Sequence, residues 1–132
     1  FLLVHKSKRG QRCFHNRGTG SMGFGLPAAI GAAVASGCRT VSIEGDGGFQ
    51  MNIHELATVS ALGLPIKLFV INNQGYASIR ASQRGYFNLL VGADASSGLK
   101  LPDLGKLVPA YGVPFVQIAG KSGLHEQIRS IL

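Results

Sequence analysis

Apolar positions along this 132-residue chain change their spacing several times. From Gly23 to Ala35 small apolar residues run almost unbroken, with Pro27 near the start, where a helix's first turn tolerates proline. Gly37 stands just beyond as a stop, so a helix is predicted there. Thr40–Glu44 reads as a strand. Asn52 then opens a second helical stretch, with Ile53, Leu56, Ala57, Ser60 and Ala61 at helical spacing as far as Gly63. Asn52 as N-cap and Glu55 three positions on resemble a capping box. Ile66–Ile71 is nearly continuous apolar sequence, the mark of a buried parallel strand. Further on, the pattern predicts a short helix over 77–82, a helix over 101–111 broken by Gly112 and Pro114, a last strand over 115–118 and a closing helix over 123–132. Residues 1–19 are polar and glycine-bearing, with Arg12-Cys13-Phe14 as a short strand-like stretch. Such alternation implies an α/β fold, a parallel sheet with helices on both faces.

Both predicted central strands end in chemistry. Thr40–Glu44 runs into Gly45-Asp46-Gly47-Gly48, and Ile66–Ile71 runs into Asn72-Asn73-Gln74-Gly75. One carboxylate and one amide oxygen thereby stand at the carboxyl ends of two strands, where open α/β sheets bind ligands. Oxygen donors beside glycine-rich turns suit Mg²⁺ on a phosphorylated cofactor. Gly47 and Gly48 let the backbone approach a diphosphate and offer it N–H groups. Taken alone, Asp46 would read as a turn aspartate bonded to its own backbone. Its pairing with Asn72-Asn73 favours the ligand reading.

Composition narrows the choice. The length suits a single domain, and 45% apolar residues allow a core. Cys13 and Cys38 are too few for a disulfide framework and lie at no metal spacing, so two reduced thiols in a cytoplasmic protein are expected. Phe1-Leu2-Leu3-Val4 precedes the basic residues instead of following them, unlike a signal peptide. No apolar stretch has the roughly 20 residues a membrane span needs. The net charge is +7, and Lys6, Lys8, Arg9, Arg12 and Arg17 cluster early. No interleaved aromatics or helix-turn-helix accompany them, so a solvated or covered face is expected and nucleic acid is not.

The GDG–NN pairing resembles the diphosphate-binding motif of thiamine diphosphate (ThDP) enzymes. Gly20–Ala35, GSMGFGLPAAIGAAVA, is similar to the segment of acetolactate synthase and its relatives that holds the aminopyrimidine. The resemblance covers 16–87 strongly and the remainder loosely. It implies a ThDP-binding fold for 1–132, a single diphosphate-binding domain and a C-terminal piece of a longer chain. It implies Mg²⁺ bound by the Asp46 carboxylate, the Asn73 side chain and the Gly75 carbonyl. By the same likeness the Gly20 carbonyl accepts from the cofactor's 4′-amino group. The Met22 N–H donates to N3′, and the Met22 side chain wedges under the cofactor's bend, with Ser21 between them. Tyr76 packs beside the diphosphate, while Ser78 and Arg80 become candidate substrate contacts or, more plainly, a helix cap and a solvated charge.

The resemblance also implies decarboxylation and carboligation of 2-keto acids, a transferase or lyase chemistry. The glutamate that protonates N1′ in the family has no match, since Glu44, Glu55 and Glu126 all sit elsewhere. It would come from the N-terminal domain of a neighbouring subunit. The segment alone is therefore expected to be inactive, and the working unit to be a dimer or tetramer that includes the missing N-terminal and central domains. FAD, if the full-length enzyme uses it, binds in a domain this segment lacks. The run Gly75–Phe87 is also similar to relatives linked to sugar and lipopolysaccharide biosynthesis.

Two other readings compete. Gly18-Thr19-Gly20-Ser21-Met22-Gly23 matches G-x-G-x-x-G, and Glu44 follows at the distance of a dinucleotide fingerprint, which would make an NAD-binding module. A non-catalytic remnant of the fold is the other.

Overall fold

Small residues pack α1 (Gly25–Ser36) tightly, and Gly37 ends it in a left-handed conformation whose N–H returns to the Ala33 carbonyl. The chain then enters β1 (Thr40–Gly45), and β2 (Ile66–Ile71) pairs with it in parallel, in the register Thr40↔Ile66 through Gly45↔Ile71. The computed structural model describes residues 5–120 and 122–132; Phe1–Val4, read above for its apolar start, lies outside them. Between the strands come α2 (Asp46–Gln50), a 3₁₀ turn (Ile53–Glu55) and α3 (Leu56–Ala61). After β2 follow α4 (Ala77–Phe87), a 3₁₀ turn (Ala95–Ser97), α5 (Leu104–Ala110) and α6 (Leu124–Ile131). The α/β class with a parallel sheet is thus present.

Leu26, Phe49, Ile53, Leu56 and Val108 form the buried core, and Ile30, Leu68, Val70 and Leu104 pack against it. Phe49 and Leu26 are each 1% exposed. Truncating Phe49 to Ala would remove about 3–5 kcal/mol. The core therefore fixes α1, α2 and both strands together, and with them the two loops at the strands' carboxyl ends.

Several expectations change. The helix after β1 begins at Asp46 itself, so Gly47 and Gly48 lie inside a first helical turn and not in a loop before Asn52. Asn52 makes no side-chain cap; its Nδ2 donates instead to the Gly23 carbonyl at 2.9 Å. Glu55 likewise turns to the Thr58 hydroxyl, at 2.8 Å. A long-range bond at Asn52 and a different local one at Glu55 have displaced the capping box. The helix over 101–111 starts only at Leu104, because Asp103 caps it through the Gly105 N–H at 2.9 Å. The helix over 77–82 continues to Phe87 and stops at left-handed Asn88.

Neither 12–14 nor 115–118 is a strand. A strand needs a ladder partner, and the described sheet has two members only. Nor is β2 fully buried: its residues are half-buried, and Ile71 is exposed. Leu68 and Val70 face the core, whereas Val41, Ile43 and Ile71 on alternate positions stay exposed at 49%, 44% and 57%. The accessible surface, 9377 Å², well exceeds the roughly 6,700 Å² of a compact monomer of this mass.

Candidate functional site

The strand register ends with Gly45 opposite Ile71, so the following residues of both strands emerge side by side. Asp46 is buried, 4% exposed. Its Oδ1 accepts the N–H of Gly47 at 2.9 Å, the local turn contact expected of an ordinary turn aspartate. Its Oδ2 accepts the N–H of Gly75 at 3.1 Å and so joins the two loops. Among the described residues the salt bridges are His54–Glu55 and Arg80–Asp94, and neither involves Asp46. A buried carboxylate held by two backbone donors and no cationic side chain is a costly arrangement in isolation.

Two glycines permit the approach. A Cβ on Gly47 would come within 2.4 Å of the Tyr76 ring, so Tyr76 lies directly over the first turn of α2. The same Cβ would sit 3.4 Å from the Gly75 carbonyl oxygen. Gly75 has φ +137°, and a Cβ there would meet the Ala93 carbonyl oxygen at 2.4 Å. At Gly45 the nearest group is the Asn73 Nδ2, 3.9 Å from a built Cβ. Asp46, Gly47, Asn73, Gly75 and Tyr76 are therefore neighbours. The Gly47 N–H, expected to be offered to an anion, is engaged by Asp46.

Arg80 is neither a solvated charge nor free for a substrate. It donates through Nη2 to the Asn73 carbonyl at 2.9 Å and to Asn73 Oδ1 at 3.3 Å, and through Nη1 to the Gln74 carbonyl at 3.2 Å. Its Nη1 lies 3.7 Å from Asp94 Oδ2. Asp94 is held in turn by the Ser96 and Ser97 hydroxyls, at 2.6 and 3.0 Å. These contacts, the Ser96 hydroxyl foremost, hold its carboxyl below the usual range, with help from Ser97 and Arg80. Residues 92–98 carry no motif in the sequence. Asp94 lies nineteen residues beyond Gly75, and no spacing rule signalled it. Ser78 is exposed.

Glu44 was also missed. Its Oε1 accepts the Gly25 N–H at 3.3 Å and its Oε2 the Leu26 N–H at 3.2 Å, which satisfies two orphan donors of α1's first turn. Cβ atoms on Gly25 and Gly48 would come within 2.6 and 3.1 Å of the same carboxylate. Glu44 thus ties the start of α1 to the Gly45–Gly48 turn. Burial pushes its carboxyl up, against the two N–H bonds that lower it.

Upstream of α1, Gly20, Ser21 and Met22 belong to an irregular segment. The Gly20 N–H donates to the Asn16 carbonyl at 2.9 Å. Ser21 and Met22 line an open hollow with Asn16, Thr19, Phe24, Pro27 and Asn52. The Met22 side chain is exposed. Glu44 links the start of α1, beside this hollow, to the turn that carries Asp46.

The dinucleotide fingerprint fails on this geometry. No strand leads into Gly18, a Cβ at Gly18 or Gly20 would meet open space, and Glu44 is committed to α1. The fingerprint needs a strand, close backbone approach and a free acidic side chain.

Comparison with known proteins agrees. Residues 2–132 match the family model described as thiamine pyrophosphate enzyme, C-terminal TPP binding domain. The chain is 37% identical over 131 residues to acetolactate synthase 2, chloroplastic, of Zea mays, covering 95% of this chain and 20% of that protein. It is 36% identical to the acetolactate synthase large subunit of Cyanidium caldarium over 100% of this chain and 22% of that one. The Parasynechococcus marenigrum large subunit is 39% identical over 87% of this chain and 19% of its own length. The chain spans about a fifth of these relatives. It belongs to the thiamine pyrophosphate enzymes, as a C-terminal TPP-binding domain of the kind found in acetolactate synthases.

Proposed function

We propose that this domain grips the diphosphate of ThDP through Mg²⁺ at the Asp46 tip. The carrying observation is a buried carboxylate that makes no ion pair among the described residues, joined by hydrogen bond to the Gly75 loop. The residues present fit the ion. Each Asp46 oxygen accepts one N–H and keeps a lone pair, the Gly75 carbonyl lies beside Gly47, and the Asn73 amide borders Gly45. Three oxygens of this kind, completed by phosphate and water, suit a hard octahedral cation. Among the described residues no group of three His, Cys, Asp or Glu could hold a metal ion.

Gly47, Gly48 and Tyr76 frame the diphosphate, while Gly20, Ser21 and Met22 meet the aminopyrimidine. ThDP supplies, when bound, the electron sink for decarboxylating a 2-keto acid and passing its acyl carbon to an acceptor. The chain's own part is to bind and bend the cofactor and keep its reactive end apart from the metal. The proton-handling glutamate and the remaining walls come from domains outside this segment. The excess accessible surface and the exposed Val41, Ile43 and Ile71 support that reading, since such faces are normally covered. A dimer or higher oligomer of the longer chain would cover them. No described helix is long and apolar enough to cross a membrane, and Cys13 and Cys38 are free, which suits a reducing cytoplasm.

Calorimetric titration of the full-length protein with ThDP, with and without Mg²⁺, tests the proposal. Saturable binding that needs Mg²⁺ is expected. Binding indifferent to Mg²⁺, or none, refutes it.

A further inference from the structure

We propose that Arg80 is the positioning residue of the metal-binding tip: its guanidinium, braced on Asp94, holds the Asn73–Gln74–Gly75 turn in the shape that presents the Asn73 amide and the Gly75 carbonyl to the cation. The inference rests on reading Asp46 and this tip as the Mg²⁺ site.

Within the turn, Asn72 Oδ1 accepts the Gln74 N–H at 3.2 Å; its other contacts come from outside it. Gln74 adopts φ +61°, the left-handed region that costs a non-glycine residue roughly 1–2 kcal/mol. Strain of that kind persists only where surrounding contacts fix it. Arg80 lies one turn into α4, its N–H donating to the Tyr76 carbonyl at 2.9 Å, and its side chain reaches back towards the helix start. There one planar fork takes two consecutive carbonyls, Asn73 and Gln74, together with the Asn73 amide oxygen. The guanidinium side chain is 19% exposed and that of Asp94 15%, so water competes weakly for these bonds.

Asp94 in its turn stands on a rigid platform. Ser97 Oγ accepts the N–H groups of Ala93 and Asp94, both at 2.9 Å. The same platform reaches the tip by a second route, because the Ala93 carbonyl accepts the Tyr76 N–H at 2.9 Å and Gly75 bridges to Asp94. Arg80 and Asp94 therefore grip the turn from both sides. The longest of the guanidinium's oxygen contacts within the turn is the one to Asn73 Oδ1. Arg80 can yield that oxygen to an arriving cation and keep both carbonyls. Lysine, a single point charge, cannot span the same set.

The test uses the full-length protein and measures the Mg²⁺ concentration for half-maximal ThDP binding, together with the Tm of the cofactor-free form. Arg80→Lys and Arg80→Gln are expected to raise that concentration by about 10- to 100-fold, the usual cost of losing a group that orients a metal ligand. The cofactor-free Tm should stay near that of the parent. Folded Arg80 variants whose Mg²⁺ requirement stays within about twofold of the parent overturn the inference, because a merely structural residue shifts Tm and not metal affinity. If neither Arg80 variant folds, Asp94→Asn decides by the same threshold: a rise supports the brace, and no rise overturns it. Asp46→Asn serves as the reference for the site itself. Should it too leave the Mg²⁺ requirement unchanged, the site reading fails first and takes the inference with it. A large effect of Asp46→Asn beside none of Arg80→Lys sinks the inference alone.

Discussion

Asp46 accepts the N–H of Gly75 at 3.1 Å across 29 residues of sequence, and that bond makes one site of two strand ends. Its other oxygen takes the Gly47 N–H. An asparagine there would keep the shape but turn its NH₂ against one of the two donors. Asp46→Asn should therefore lose roughly 1.5–3 kcal/mol, the scale of a hydrogen bond to a charged group. Asp46→Ala should abolish Mg²⁺-dependent ThDP binding altogether. Calorimetry on the folded full-length variant checks this, and unchanged affinity would contradict the assignment of the site.

Gly75 should tolerate no side chain. At φ +137° a Cβ meets backbone, the Ala93 carbonyl oxygen at 2.4 Å, and backbone cannot swing aside. Gly98, at φ +100°, opens onto free space and isolates the conformational term. Gly98→Ala should cost about 1 kcal/mol and Gly75→Ala clearly more, with the strain and the clash added. Urea midpoints of the two variants, compared at equal m-value, give the order. Equal midpoints would mean the Gly75–Ala93 approach relaxes freely.

Much of this arrangement was legible in the sequence. The helix stop at Gly37, both strands and the two turns at their carboxyl ends follow from periodicity and punctuation, because each is decided by neighbours in the chain. What failed was decided at a distance. Asn52 fits the N-cap of a capping box locally, yet Gly23, 29 residues away, is the partner it finds. Phe115–Ile118 has strand composition but no ladder to join. Asp94 carries no motif, and nothing beside Arg80 in the chain reveals that it returns to Asn73 and Gln74 and pairs with Asp94. Glu44 stood in plain view beside GDG, but nothing local reveals that Gly25 and Leu26 return to it.

Glu44 should leave a pH signature. Burial raises its folded carboxyl above the ordinary value of 4.5, so the folded state holds the proton more tightly than the unfolded chain. The contribution is fully present below about pH 4.5 and is lost as pH rises through the folded value. Glu44→Gln removes that titration. Parent and variant stabilities, measured by urea unfolding from pH 4 to 7, should diverge in slope over the window just above 4.5, the parent falling relative to the variant as pH rises. Parallel curves would mean that Glu44 is solvated as freely as in the unfolded chain.

Met22 should separate binding from turnover. Its side chain is exposed at 43% and lines the hollow before α1 without joining the Leu26–Phe49 core. Met22→Ala should therefore cost stability by no more than about 0.5 kcal/mol, the range of substitutions away from packed features. A wedge beneath a bent cofactor acts differently from a binding contact, since it holds a strained shape that remote contacts to the diphosphate sustain. Removing it leaves those contacts and releases the shape. The ThDP Kd of the full-length variant should then move only a few-fold. Release of carbon dioxide from a 2-keto acid should slow by tenfold or more, about 1.4 kcal/mol in the barrier. A fall in affinity that matches the fall in rate would make Met22 an ordinary contact, and an unchanged rate would remove it from the site.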